Sequence, residues 1–172
     1  MHSYFGCFPG KAKTELRTVT FTGLPGDPIP PGGYLFDEYF CTDRKCHCQR
    51  VIIKVLRAEN FDARPEEVAT ISYTWNLEPD KTWAAVNQDM PNPFLDPLHR
   101  QARYAVDLMD FWNDMIVRDP AYLERIKRHY DELRAVYGCR PPEVVGARVL
   151  TKADKRERQR KLEQFNRQKK AR

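Results

Sequence analysis

The 172-residue sequence contains no run of about 18 apolar residues, so no segment of it reads as a membrane span. Its first residues, MHSYFGCFPGKAK, lack an apolar core behind a basic start and do not read as a secretory leader. No membrane partner is therefore expected, and cytoplasmic residence is. No H-E-x-x-H stands anywhere, and no Ser–His–Asp order worth defending. The glycines of GLPGDP (23–28) mark a turn, because no strand–helix unit surrounds them to cradle a phosphate. Cysteine is limited to five, an odd count, and Cys46 and Cys48 stand too close for an ordinary bridge. Reduced thiols fit this better than a disulfide framework.

What is present suffices for one domain with polar segments to spare: hydrophobic residues make up 41% and aromatic residues 12%. The net charge of +5 is unevenly spread. Residues 151–172 carry Lys152, Lys155, Arg156, Arg158, Arg160, Lys161, Arg167, Lys169, Lys170 and Arg172 against Asp154, Glu157 and Glu163. The preceding 150 residues hold 19 bases and 21 acids. The basic character thus belongs to a tail on a slightly acidic body. Two units are expected: a single α+β domain over 1–150 and a basic helical tail over 151–172. The tail's helical reading rests on the i,i+4 pairs Asp154–Arg158, Glu157–Lys161 and Glu163–Arg167.

Within the body, RTVTFTG (17–23), YLFDEYF (34–40), QRVIIKVLRA (49–58) and VATISYTW (68–75) are rich in β-branched and aromatic residues and read as strands. Residues 76–96, with Pro79, Pro91 and Pro93, read as a long loop. Asp96-Pro97 and Asp119-Pro120 are matching helix starts, Asp as N-cap and Pro in the first turn. The first helix carries Ala102, Ala105, Met109, Trp112 and Ile116 on one stripe. The second carries Leu123, Ile126, Tyr130, Leu133 and Tyr137 and stops at Gly138. The short junction predicts an antiparallel helical hairpin. CRPPEVVGARVL (139–150) reads as a further extended segment. The fold class is therefore α+β: a small antiparallel sheet of about four strands with a Cys-rich hairpin, packed by a helical hairpin, plus the basic helix.

The stretch that raises a chemical question is CTDRKCHC (41–48), at the tip of the hairpin between the second and third strands. In extended chain Cys46 and Cys48 point to one side and His47 to the other. Cys41 ends the preceding strand, so three sulfurs can meet at one point. Zn²⁺ takes such thiolates into closed tetrahedral sites. A fourth ligand is missing locally; Cys7, Cys139, His129, His99 or His47 are the candidates. Two other readings stand beside zinc: unliganded thiols that only pack, and thiol chemistry helped by Arg44, Lys45 and Arg50.

The stretches YLFDEYFCTDRKCHCQRVIIKV, ISYTW, LDPLHRQARYAVDLMDFW and DPAYLERIKRHYDEL together resemble a family of small bacterial proteins described only as uncharacterised. Its members have a C-x-C-R-R-V type turn and an LDPLN-like start to a helix pair, and some end in a zinc-binding SEC-C motif. The resemblance spans roughly residues 34–137 and implies that the hairpin is a family feature. It brings no activity. This chain departs in Gln49, in His99 of LDPLH, and in the basic helix where a SEC-C motif would sit.

Other features read more plainly. His129 and His99 are expected as packed side chains rather than catalysts. Asp37 and Glu38 are strand neighbours, so they face opposite ways and form no carboxylate pair. Trp75, Trp83 and Trp112 are most simply core residues, and Trp83 in the long loop is the best candidate for a ligand or partner contact. The function expected is a non-enzymatic, zinc-stabilised module that docks on RNA or a ribonucleoprotein through its tail, since clustered cations displace phosphate counterions. The alternatives are an adaptor for an acidic protein surface and a thiol- or metal-dependent enzyme at the hairpin.

Overall fold

The structure, a computed structural model, describes residues 1–43, 45–46, 48–60, 63–75 and 90–137. In chain order the elements are β1 (His2–Ser3), α1 (Tyr4–Cys7), α2 (Pro9–Glu15), β2 (Arg17–Phe21), β3 (Gly32–Phe40), β4 (Arg50–Ala58), β5 (Glu66–Thr74), β6 (Phe94–Leu95), α3 (Ala105–Arg118) and α4 (Pro120–Tyr137). The expected last strand over 139–150, the tail helix, Gly138, Trp83 and most of the long loop lie outside the described residues.

β3, β4 and β5 form an antiparallel meander at the centre of the sheet. Side-chain alternation dictates its two faces. On β3, Tyr34, Phe36, Glu38 and Phe40 are buried while the residues between them are half-exposed. They share their face with Val51, Ile53 and Val55 of β4, paired to Phe40, Glu38 and Phe36. A register shift at Val55/Leu56 makes room for Val68, which is buried as well. The four long strands match the expected ones. The two-residue strands β1 and β6 extend the sheet beyond them: β1 joins β3 at His2↔Phe40 and β6 joins β5 at Ile71↔Leu95.

Both long helices cover the apolar face. α3 buries Ala105, Leu108, Trp112 and Ile116, and α4 buries Tyr122, Ile126, His129, Tyr130 and Leu133. They fold back on each other through Asp119, and Trp112 Nε1 donates to Tyr122 Oη at 3.1 Å. Asp119 caps α4 as its sequence suggests, its Oδ1 accepting from Tyr122 N at 3.2 Å.

The start of α3 is a correction. Asp96-Pro97 signals a helix there, yet α3 begins at Ala105. The intervening chain pairs along the edge of β5 instead. Asp96 N donates to Thr70 O and Ala102 N to Val68 O, each at 2.8 Å. The Gln101 side chain accepts from Thr70 N at 2.9 Å and donates to Asp96 O at 2.9 Å. The Asp96 carboxylate closes a tight turn by accepting from Leu98 N at 2.9 Å. Satisfying the open edge of a buried strand outweighs a local helix signal. Ala102 therefore lies outside the helix, and Leu108 takes the inward place given to Met109.

The N-terminal helices are also additions to the sequence reading. Ser3 Oγ accepts from Gly6 N at 2.9 Å and caps α1, which places Tyr4 and Phe5 in the core. Among the described residues no helix is long and apolar enough to cross a membrane.

Candidate metal centre

The hairpin between β3 and β4 carries the candidate site. β3 ends at Phe40 and β4 begins at Arg50, so the tip spans nine residues, of which Arg44 and His47 lie outside the described set. The tip is locally ordered by an Asx turn: Asp43 Oδ1 accepts from Lys45 N at 2.9 Å, and Asp43 O accepts from Cys46 N at 3.1 Å. Gln49 adopts a left-handed conformation with φ 42°, which turns the chain from the tip into β4.

Two neighbours fasten this turn. Thr74 Oγ1 donates to Gln49 O at 3.1 Å and Cys48 O at 3.3 Å, and Trp75 N donates to Gln49 O at 3.3 Å. From below, Arg134 of α4 donates through Nη1 to Cys46 O at 2.7 Å while its guanidinium lies 5.3 Å from the Tyr130 ring centre. Tyr130 in turn meets Trp75 edge-on at 5.3 Å and Phe40 at 6.1 Å. The tip is thus seated on an aromatic floor supplied by strand and helix.

On this floor the Sγ atoms of Cys41, Cys46 and Cys48 all lie within 4.8 Å of one another. Cys48 is buried; Cys41 and Cys46 are half-buried. Zn–S bonds of about 2.3 Å in a tetrahedron set sulfurs about 3.8 Å apart, so a contraction of at most about 1 Å would complete the geometry. The cluster can hold a metal ion. Among the described residues no fourth His, Cys, Asp or Glu atom joins the three. His129 is excluded as that ligand, because both ring nitrogens are taken by Glu38 and Glu15. Cys7 is engaged with Tyr137, and His99 sits 3.4 Å from Asp96. His47 and Cys139 lie outside the described residues.

The three thiols are electrostatically unequal. Cys41 is lowered to about 5, chiefly by the hydrogen bond from Cys48. Cys48 is pushed up, by that same bond and by burial. Arg50, half-buried beside all three, is attracted by them and by Asp96, though burial lowers its own pKa. The metal-free cluster is therefore a thiolate at Cys41 supported by a thiol at Cys48. A pKa lowered to about 5 means half ionisation there and nearly full ionisation above about pH 6. In metal-free protein, iodoacetamide is expected to label Cys41 ahead of Cys48, at a rate nearly level from about pH 6 to 8 and halved near about pH 5. Peptide mass mapping reads the order; Cys48 labelling first would contradict this charge distribution.

The sequence placed these three cysteines at one point, and the structure brings them together. It also keeps Asp37 and Glu38 on opposite faces: Asp37 accepts from Ser3 Oγ at 3.0 Å, and Glu38 points into the core. The ten basic residues of 151–172 lie outside the described residues. Sequence reasoning missed a second polar cluster, Glu15–Glu38–His129. One signal for it was present, since Glu38 alternates with Phe36 and Phe40 and so had to enter the apolar face.

The class that fold and site define is an α+β protein with a three-thiol hairpin able to hold a metal ion. No family model, no curated protein and no solved structure matches the chain.

Proposed function

We propose that the chain is a non-enzymatic binding module in which Cys41, Cys46 and Cys48 hold a structural zinc ion and the basic segment 151–172 docks on RNA or a ribonucleoprotein. The observation that carries the reading is the convergence of three sulfurs within 4.8 Å. Soft thiolate ligands on a tight, well-seated hairpin favour zinc among the common ions. A metal here would tie the end of β3 to the start of β4, with His47 and Cys139 as the remaining candidates for the fourth position. The tail reading rests on charge: ten cations against three acids in 22 residues exceed what a solvated face needs. The resemblance to the small bacterial family adds only that such a hairpin recurs.

Elemental analysis of the purified protein is expected to give about one zinc per chain, and none in the Cys46→Ser/Cys48→Ser double variant. Immobilised protein is expected to retain structured RNA at low salt and lose it on deletion of residues 151–172, with log affinity falling linearly with log salt. Metal-free protein as isolated sinks the zinc half. Undiminished RNA retention without the tail sinks the other. Binding only to acidic proteins would replace the RNA reading by the adaptor. A second reading, thiol chemistry, is favoured by the Cys41 thiolate; metal-free protein whose alkylation leaves the fold intact would support it.

A further inference from the structure

His129 is fully buried on α4, and each ring nitrogen faces a carboxylate. Nδ1 lies 2.7 Å from Glu38 Oε2 on β3, and Nε2 lies 2.6 Å from Glu15 Oε2 at the end of α2. Tyr4 of α1 stacks on the imidazole, ring centres 3.8 Å apart and planes at 9°. A neutral imidazole has one N–H and one lone pair, so it can donate to one carboxylate only. Both contacts become hydrogen bonds only when the row holds one more proton. That proton makes either an imidazolium between two carboxylates or a neutral imidazole beside one carboxylic acid.

We propose that this row is a proton-operated latch: one proton held among Glu15, His129 and Glu38 fastens the N-terminal segment Met1–Glu15 to α4 and β3, and its loss as pH rises releases that segment. The asymmetry of the row decides which end lets go. Glu38 sits on the central sheet, fully buried, and among the described residues its Oε1 has no hydrogen-bond partner. Burial pushes its carboxyl up, so its ionised form depends on the neighbouring imidazole. Glu15 is the movable end. It stands on a seven-residue helix that buries no side chain, and about a fifth of its own side chain is exposed. Without the shared proton, a carboxylate faces an imidazole lone pair at contact distance, and Glu15 withdraws to water.

The charges around the row oppose and favour release in known ways. On α4, Arg128 holds Glu15 at 2.5 Å, and Arg125 attracts Glu38. Glu132 of α4 accepts from Tyr4 Oη at 2.5 Å and pairs with Lys11 of α2 at 2.7 Å. On β3, Asp37 repels Glu38. Tyr122 of α4 stands by Glu38, with Arg17 of β2 over its ring at 4.7 Å. Tyr4 is raised to about 12 and Tyr122 higher still, so neither titrates in the window of interest. Docking adds a carboxylate to the row and strengthens its hold on the proton; by reciprocity the proton strengthens docking. At the acid end the sign reverses for Glu15. Its carboxyl is lowered, first by the His129 hydrogen bond, so its contribution is present at neutral pH and lost as pH falls far enough to protonate it. Release uncovers Tyr4, Phe5 and Phe8, the aromatic side of the segment.

The test is amide hydrogen exchange of the full-length protein by NMR between about pH 6.5 and 9.5, corrected for intrinsic exchange. The reporters are the amides of Phe8 and Lys11 in the segment and of Leu16 just after it, which donate to the Tyr4, Phe8 and Ala12 carbonyls. Their protection is expected to fall by up to about tenfold per pH unit above the row's apparent titration, while the amides of Val51 to Val55 hold theirs. In Glu15→Gln the side-chain amide can donate to the unprotonated ring, so the reporters stay protected and level. A level profile in the unsubstituted protein overturns the latch, and so does an unchanged slope in E15Q. If E15Q proves undocked at every pH, His129→Gln decides: it removes the proton site, and a surviving pH slope overturns the proposal.

Discussion

Trp112→Ala is expected to lower stability by about 4 kcal/mol or more, moving the urea midpoint with little change in slope. The Trp112 side chain has no exposure at all and meets Tyr73 edge-on at 5.5 Å, joining α3 to β5. Truncating a buried tryptophan removes its transfer energy and leaves a cavity that a sheet-and-helix sandwich cannot close. A second loss adds to the first. Trp112 Nε1 is the donor to Tyr122 Oη, and Tyr122 is only 1% exposed, so its hydroxyl loses a buried partner at about 1–3 kcal/mol. Against a total stability of about 5–15 kcal/mol for an ordinary domain, such a loss leaves the variant near the threshold of unfolding. Trp112→Phe separates the contributions, since it keeps most of the volume and removes the N–H. A loss below about 1 kcal/mol for the alanine variant would show that α3 does not seal the core as described.

The second large effect concerns the hairpin. Under the zinc reading, a strong chelator at neutral pH is expected to lower the melting temperature by about 10 °C or more, and Cys48→Ser to bring the melting point to the chelated value without chelator. A ligand at about a thousand times its dissociation constant adds about 4 kcal/mol to the native state. For a domain of this size each kcal/mol shifts the midpoint by several degrees. The loss should begin at the tip. Cys41 and Cys48 flank β3 and β4, and Arg134 reaches the tip through Cys46 O at 2.7 Å, so a loosened tip frees the end of α4 as well. Calorimetry with and without chelator reads the shift, and re-addition of zinc should restore it. No shift on chelation, or a Cys48→Ser variant as stable as its parent, would reduce the cluster to three packed thiols.

Much of this was legible in the chain, for physical reasons that act at short range. Period-two alternation in YLFDEYF and β-branched runs in RVIIKVLRA required strands, and the short tip between them required antiparallel pairing. Apolar spacing near 3.6 required the helices, and Asp119 capped one of them as its sequence suggests. The cysteines' meeting at the tip followed from hairpin geometry, since their positions are tied by only nine residues. Asp96 failed as a helix signal because the open edge of β5 competed for the same backbone donors, and that edge exists only once the sheet is assembled.

By itself, then, the sequence determined the α+β class, the Cys-rich antiparallel hairpin, the helix pair and the convergence of Cys41, Cys46 and Cys48, because each depends on neighbours within about twenty residues. Only the tertiary structure decided which residues stand around them. Glu38 and Glu15 stand 91 and 114 positions from His129, and no local pattern relates them. Their row exists because α4 closes over β3 while the end of α2 reaches α4, and burial then obliges two carboxylates and an imidazole to share protons that water would otherwise have supplied.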